Sequence, residues 1–157
     1  MISRLQRSDE VRGVVIPSVG VNLLLPNAAI AEVVSFQEPA ETAESVPWLL
    51  GDVEWRGQTI PVVAIGSGEN TSRTALAFSR LKLIVCYAPS GEEQLPYLGV
   101  CATGMPHLAR FHADDMEPPI IQMQLPFTAR QLIYEGVPAC IPDLDAVVQA
   151  ILALRRA

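Results

Sequence analysis

The stretch VPWLLGDVEWRGQTIPVVAI, residues 46 to 65, decides how the rest of the chain is read. It has an extended segment, a tight turn at Arg56-Gly57 and a second extended segment rich in Ile and Val. Gly57 supplies the positive φ that a short hairpin turn demands, where a side chain would clash. Pro47 and Pro61 argue against a helix on either side. Arg56 is the one charge beside the turn glycine, set between apolar strands with no reactive side chain for company. The stretch reads as a scaffold that presents a recognition charge.

Working outward, the N-terminal side supplies more strands. Residues 1 to 10 are polar and expected to fray. VRGVVIP, residues 11–17, and VNLLLP, residues 21–26, read as two strands joined by a turn. NAAIAEVVSF follows, with Asn27 expected to cap a short helix and Val33, Val34 and Phe36 marking a return to strand. QEPAETAES is expected to be an exposed acidic loop. On the C-terminal side, residues 66–80 are small and polar and mark the joint between two halves. LKLIVCYA and LPYLGVCA read as a strand pair around the turn PSGEEQ. MPHLARFH reads equally as a strand or a turn-rich connection, HADDMEPP as a further acidic loop and IIQMQLP as a strand. The closing DLDAVVQAILALRRA is an amphipathic helix, with Asp143 as N-cap and Leu144, Val147, Val148 and Ile151 on one face. Arg155 and Arg156 sit in its last turn, where positive charge suits the helix dipole.

The hairpin has an echo. RQLIYEGVPACIPDL repeats its order of aromatic residue, charge, Gly and apolar strand, so that Trp55-Arg56-Gly57 aligns with Tyr134-Glu135-Gly136 at an offset of 79 residues. The strand pair at 11–26 is likewise echoed by the pair at 81–102. Two β-rich halves of one plan are each too small for a secure core, so they are expected to share one. The fold class is therefore all-β, with one β-rich half at about 11–66, the other at about 80–145 and a terminal helix at about 143–156.

Bulk composition narrows the function. Half of the 157 residues are hydrophobic, enough for a sizeable core, and the net charge of −6 speaks against nonspecific nucleic-acid binding. Cys86, Cys101 and Cys140 have apolar neighbours and no CxxC spacing, which fits buried free thiols in a reducing cytosol rather than a disulfide framework or zinc site. The start of the chain has no signal-peptide pattern and no apolar run reaches the ~20 residues of a membrane span, so the protein is expected to be soluble and cytoplasmic.

Catalytic patterns are sought in vain. His107 and His112 are five residues apart, which suits neither a helical ligand pair nor one strand face. Asp114 and Asp115 lie among turn formers. GSGEN lacks the lysine and Ser or Thr of a phosphate loop, and there is no GxSxG. Met105, Met116 and Met123 read as core or loop fillers. No cofactor and no metal are expected. Two rival readings, a small-ligand-binding β-barrel and a cysteine-dependent enzyme, need a ligand cavity or a low-pKa thiol.

Taken together, VPWLLGDVEWRGQTIPVVAI resembles the signature of CheW-like coupling domains of bacterial chemosensory arrays. Pro47, Gly51, Arg56, Gly57, Pro61, Val62 and Val63 fit that pattern. NLLLPNAAIAEVV resembles the family's strand and short helix, with Ile30, Glu32 and Val33 on its recurring apolar-x-Glu-apolar core. YEGVPACIPDLDAVVQAI resembles the second-barrel hairpin and last helix. The chain departs from the pattern at Glu54-Trp55, where Asn-Leu is usual, and at Ala64, where Asp is usual. Such departures fit a divergent member, one serving a type IV pilus or twitching-motility system.

The resemblance implies two small five-stranded SH3-like barrels on a shared core, with short helices and a C-terminal helix. It implies a non-enzymatic scaffold that couples a methyl-accepting chemoreceptor to the regulatory domain of a CheA-like histidine kinase, without membrane insertion. One barrel would bind the kinase, and the region between the barrels would meet the receptor tip. It further implies that Glu32 and Arg56 lie together, and that Ile30, Glu32, Val33, Arg56 and Gly57 form the partner-binding set.

Overall fold

A computed structural model describes residues 10–42, 46–66, 80–89, 93–112, 114, 116–120, 122 and 125–156. Alternating and continuous apolar runs become eleven strands: β1 (Glu10–Pro17), β2 (Asn22–Pro26), β3 (Ile30–Ser35), β4 (Leu49–Trp55), β5 (Gln58–Val63), β6 (Lys82–Tyr87), β7 (Tyr97–Ala102), β8 (His107–His112), β9 (Met116–Glu117), β10 (Thr128–Tyr134) and β11 (Val137–Pro142). Among the described residues one α-helix, α1 (Leu144–Arg156), follows β11. The first sheet runs β8-β1-β2-β11-β10-β9 and the second β3-β6-β7-β5-β4.

The echo seen in the sequence is written into the backbone. Arg56 and Gly57 have φ of 48° and 75°, and Glu135 and Gly136 have 52° and 77°, so both hairpins turn with two successive positive φ values. Even the irregularities coincide. The β4–β5 ladder slips between Leu49 and Gly51, and the β10–β11 ladder slips between Thr128 and Arg130, at the same 79-residue offset. The correspondence reaches Pro47-Trp48 and Pro126-Phe127, whose two aromatic rings pack edge to face at 4.7 Å.

The barrels, however, are not successive halves of the chain. Substituting β8, β1, β2, β11 and β10 for β3, β6, β7, β5 and β4 turns one sheet order into the other. Leaving aside the short β9 at the edge of the first sheet, each sheet thus takes three strands from one half and a hairpin from the other. The joins are two parallel pairs, β2 with β11 and β5 with β7, and two antiparallel pairs, β1 with β8 and β3 with β6. The sheets do not follow the expected division at about 11–66 and 80–145, because each is built from strands of both stretches. Local pairing favours β1–β2 and β6–β7 as hairpins, and it leaves open which half each hairpin completes.

Both sheets curl. In a flat five-stranded sheet the outer strands would stand about 19 Å apart, four spacings of ~4.8 Å. Yet Glu32 on β3 bonds Trp55 on β4 at 2.8 Å, and the Phe111 ring on β8 lies 5.2 Å from that of Tyr134 on β10. Each sheet is therefore rolled into a small barrel whose seam is joined by side chains.

Alternation along the strands sorts the core into three parts. Val14, Ile16, Leu23 and Leu25 face Ile84, Leu98 and Val100 across a shared core, which Val147, Val148 and Ile151 of α1 cover. Their neighbours fill the barrels: Val15, Leu24 and Leu132 in one, Val62, Leu83 and Val85 in the other. Strands buried on both faces explain the unbroken runs VVI, LLL and LIVC. At its start α1 is capped as expected, with Asp143 Oδ1 accepting from Ala146 N–H at 3.0 Å.

Several local expectations change. Asn27 caps no helix: it begins a three-residue 3-10 turn, Asn27–Ala29, whose cap position is Pro26 and carries no side-chain bond. Three residues before a β-branched run are too few to hold an α-helix. MPHLARFH contains β8, and the acidic loop after it holds the short β9. The described residues of IIQMQLP form no strand. In QEPAETAES, Pro39 is buried and Ala40 bridges Asp52, so that loop is stitched to β4. Glu10, expected to fray, belongs to β1; residues 1–9, the joint at 67–79 and Met123 lie outside the described residues.

Candidate docking site

The seam of the second barrel gathers the charges singled out in the sequence. Glu32 stands on the outer strand β3, and the turn after β4 carries Arg56 round to meet it. Glu32 Oε2 accepts from Arg56 Nε at 3.1 Å and from Trp55 Nε1 at 2.8 Å. The Arg56 guanidinium lies 5.4 Å from the centroid of the Trp55 ring, near enough for a cation–π contact. Behind Trp55 an aromatic row continues, to Tyr97 at 4.9 Å and on to Tyr87 at 5.5 Å.

Exposure is graded along this row. The Arg56 side chain is 68% exposed and that of Glu32 is 34% exposed. Tyr87 is open to solvent, while Trp55 and Tyr97 are half-buried. Hydrogen bonds from Arg56 first and Trp55 second hold the Glu32 carboxyl below its ordinary pKa, and Arg56 is raised in return. Glu32 therefore stays ionised and keeps the guanidinium over the indole. With 68% of its side chain in solvent, Arg56 leaves its guanidinium accessible to a partner's acceptors.

The expected set does not form one patch. Glu32, Arg56 and the turn glycine are together. Ile30 and Val33 instead pair with Cys86 and Ile84, whose side chains belong to the shared core, so they mark a second face toward the region between the barrels. Ile30 packs on that core and Val33 is 39% exposed. Gly57 contacts no other group within 4 Å of where a Cβ would stand; its contribution is the turn. Trp55 and Tyr97 were not singled out from the sequence. The available signal was an indole N–H at a strand end, which needs an acceptor.

Burial raises the thiols of Cys86 and Cys101 to about 12 and that of Cys140 to about 11, where a hydrogen bond from Thr128 partly offsets it. All three cysteines are free and buried. No group of metal-ligating side chains is assembled among the described residues, and none of their helices is long and apolar enough to cross a membrane.

Comparison with known proteins agrees with this fold. The model of the family described as CheW-like domain matches residues 12–152. Among solved structures, the scaffolding protein TtCheW from Thermoanaerobacter tengcongensis superposes with a TM-score of 0.62 at 16% identity, covering 84% of this chain and 83% of that one. No curated protein matches the chain in sequence.

Proposed function

The chain belongs to the CheW-like domain family, and from that premise we propose that it is a non-enzymatic coupling adaptor in a chemosensory pathway of the cytoplasm. One face, the Glu32–Trp55–Arg56 seam, docks the regulatory domain of a CheA-like histidine kinase. The other, beside Ile30 and Val33 between the barrels, meets the tip of a methyl-accepting chemoreceptor.

The observation that carries the reading is the preorganised arginine. Arg56 is largely exposed, yet its Nε is fixed by Glu32 and its plane lies by Trp55. Ordering a free arginine on binding would cost rotamer entropy, and here the fold has already met most of that cost. Arginine beside aromatic residues is also the composition favoured at binding hot spots. Nothing else at the seam offers a nucleophile, a base or a ligand set. Titrating the kinase regulatory domain and the receptor signalling tip from the same cell onto the purified chain tests the proposal. Binding of both, with Arg56→Ala weakening the kinase alone, is the expected result; binding of neither would overturn it.

A further inference from the structure

The rim of the second barrel carries more aromatic surface than its closure requires. In the first barrel Tyr134, the residue aligned with Trp55, meets the Phe111 ring, and both are buried. Two buried rings thus close that end. At the matching end the second barrel sets three rings in a row, Trp55, Tyr97 and Tyr87. Trp55 and Tyr97 pack only partly onto the barrel interior, and Tyr87 is left 47% exposed. Tyr87 stands directly opposite Tyr97 on the antiparallel pair β6–β7, so both side chains leave the sheet on one face. Among the described residues no hydrogen bond engages either tyrosine hydroxyl.

The row has a set length and a charged end. Successive ring centroids stand 5.5 and 4.9 Å apart, so Tyr87 and Trp55 lie within about 10 Å of each other. The Arg56 guanidinium follows, 5.4 Å from the Trp55 ring. A polyproline-II strand rises ~3.1 Å per residue with three residues per turn, so residues three apart share one side at ~9.3 Å. Its backbone makes no internal hydrogen bonds, which leaves its carbonyls free for outside donors.

We propose that this row takes an extended, proline-containing segment of the docking partner, with prolines three residues apart and a carboxylate two residues beyond the second. One proline lies against Tyr87 and the other against the part of Trp55 left in solvent, with Tyr97 beneath the residues between them. Two further residues advance ~6 Å, which brings the carboxylate to the Arg56 guanidinium. The tyrosine hydroxyls donate to the free carbonyls of the segment. A polyproline-II strand is already ordered and loses little entropy on docking, which suits an arginine already fixed by Glu32. A single nucleic-acid strand also stacks on aromatic rings, but the net charge of −6 and the Glu32 carboxylate at the row disfavour phosphates. The inference deepens the coupling role by stating the chemistry of the segment held at the seam, and it rests on that role for the partner being a protein.

The test uses the full chain and a labelled peptide with Pro at i and i+3 and Glu at i+5. Two control peptides carry Ala in place of both prolines or Gln in place of the Glu. Fluorescence anisotropy should show the first peptide binding about fivefold or more tightly than either control, the scale of one aromatic or charge-assisted contact. Tyr87→Ala should remove the preference over the Ala peptide, Tyr87→Phe should retain it because the ring is kept, and Arg56→Gln should remove the preference over the Gln peptide. Equal affinity for the three peptides would overturn the proposal, and so would a proline preference that survives Tyr87→Ala. Tighter binding of oligothymidine than of the proline peptide would make the row a nucleic-acid platform and also overturn it. Kinase-domain binding, measured in parallel on the wild type, separates the two readings: if it occurs while the three peptides bind alike, the adaptor role stands and the assignment of the row falls.

Discussion

Oε2 of Glu32 is the atom on which the seam depends, since it accepts from both Trp55 and Arg56. A carboxyl held below its unfolded pKa stabilises the fold at pH above the unfolded value, and that contribution is lost only as pH falls through the folded value. The seam should therefore survive mild acid. In a carboxyl-detected NMR titration Glu32 should turn over below 4.5, its ordinary value, and Arg56→Ala should move it upward. A Glu32 midpoint at or above the ordinary value would show that the contact does not persist in solution. The thiols give a second residue-level prediction: with pKa values of about 11 to 12, all three cysteines should label slowly in native protein and at once in denaturant. Fast native labelling of two or more would contradict the burial. Glu32 and Arg56 were legible beforehand because each is a charge among apolar neighbours. Trp55 was not, because the sequence showed it as a member of the repeat and a departure from a family pattern, and nothing local tells an indole which carboxylate it will find.

At the level of elements, the hairpin glycines differ in what they do. Gly57 has φ +75° with nothing near its missing Cβ, so Gly57→Ala should cost only the left-handed backbone strain, ~1–2 kcal/mol. Gly51 has φ +137°, and an added Cβ would run into the Ala40 carbonyl oxygen where the preceding loop is stitched to β4. Gly51→Ala combines strain with overpacking and should cost ~2–5 kcal/mol in chemical denaturation. Equal costs at the two sites would mean that the Ala40–Asp52 stitch is not formed. Helix α1 bears on the same strand, through Arg155 to Asp52 at 2.7 Å, a partly exposed pair worth ~0–1 kcal/mol. Most strands and α1 were readable from period and turn chemistry, because both are local. The Asn27 helix was misread because composition there was given weight over length and context.

For the molecule as a whole, the repeat was visible in the sequence and the exchange of hairpins was not, since residues 79 apart reveal likeness but not partnership. The exchange predicts that fragments 1–66 and 80–157 depend on each other. Each alone should lack a cooperative unfolding transition, and mixing them should restore one; a cooperative transition in either fragment would show that a half can complete its own barrel. Such interlocking joins the two proposed docking faces through one shared core. Calorimetric titration of the kinase regulatory domain onto wild-type and Arg56→Ala protein tests that role most directly. The account predicts binding to the wild type and a loss of about tenfold or more in the variant at unchanged fold, the scale of one interfacial hot spot; equal affinity of the two proteins would contradict it.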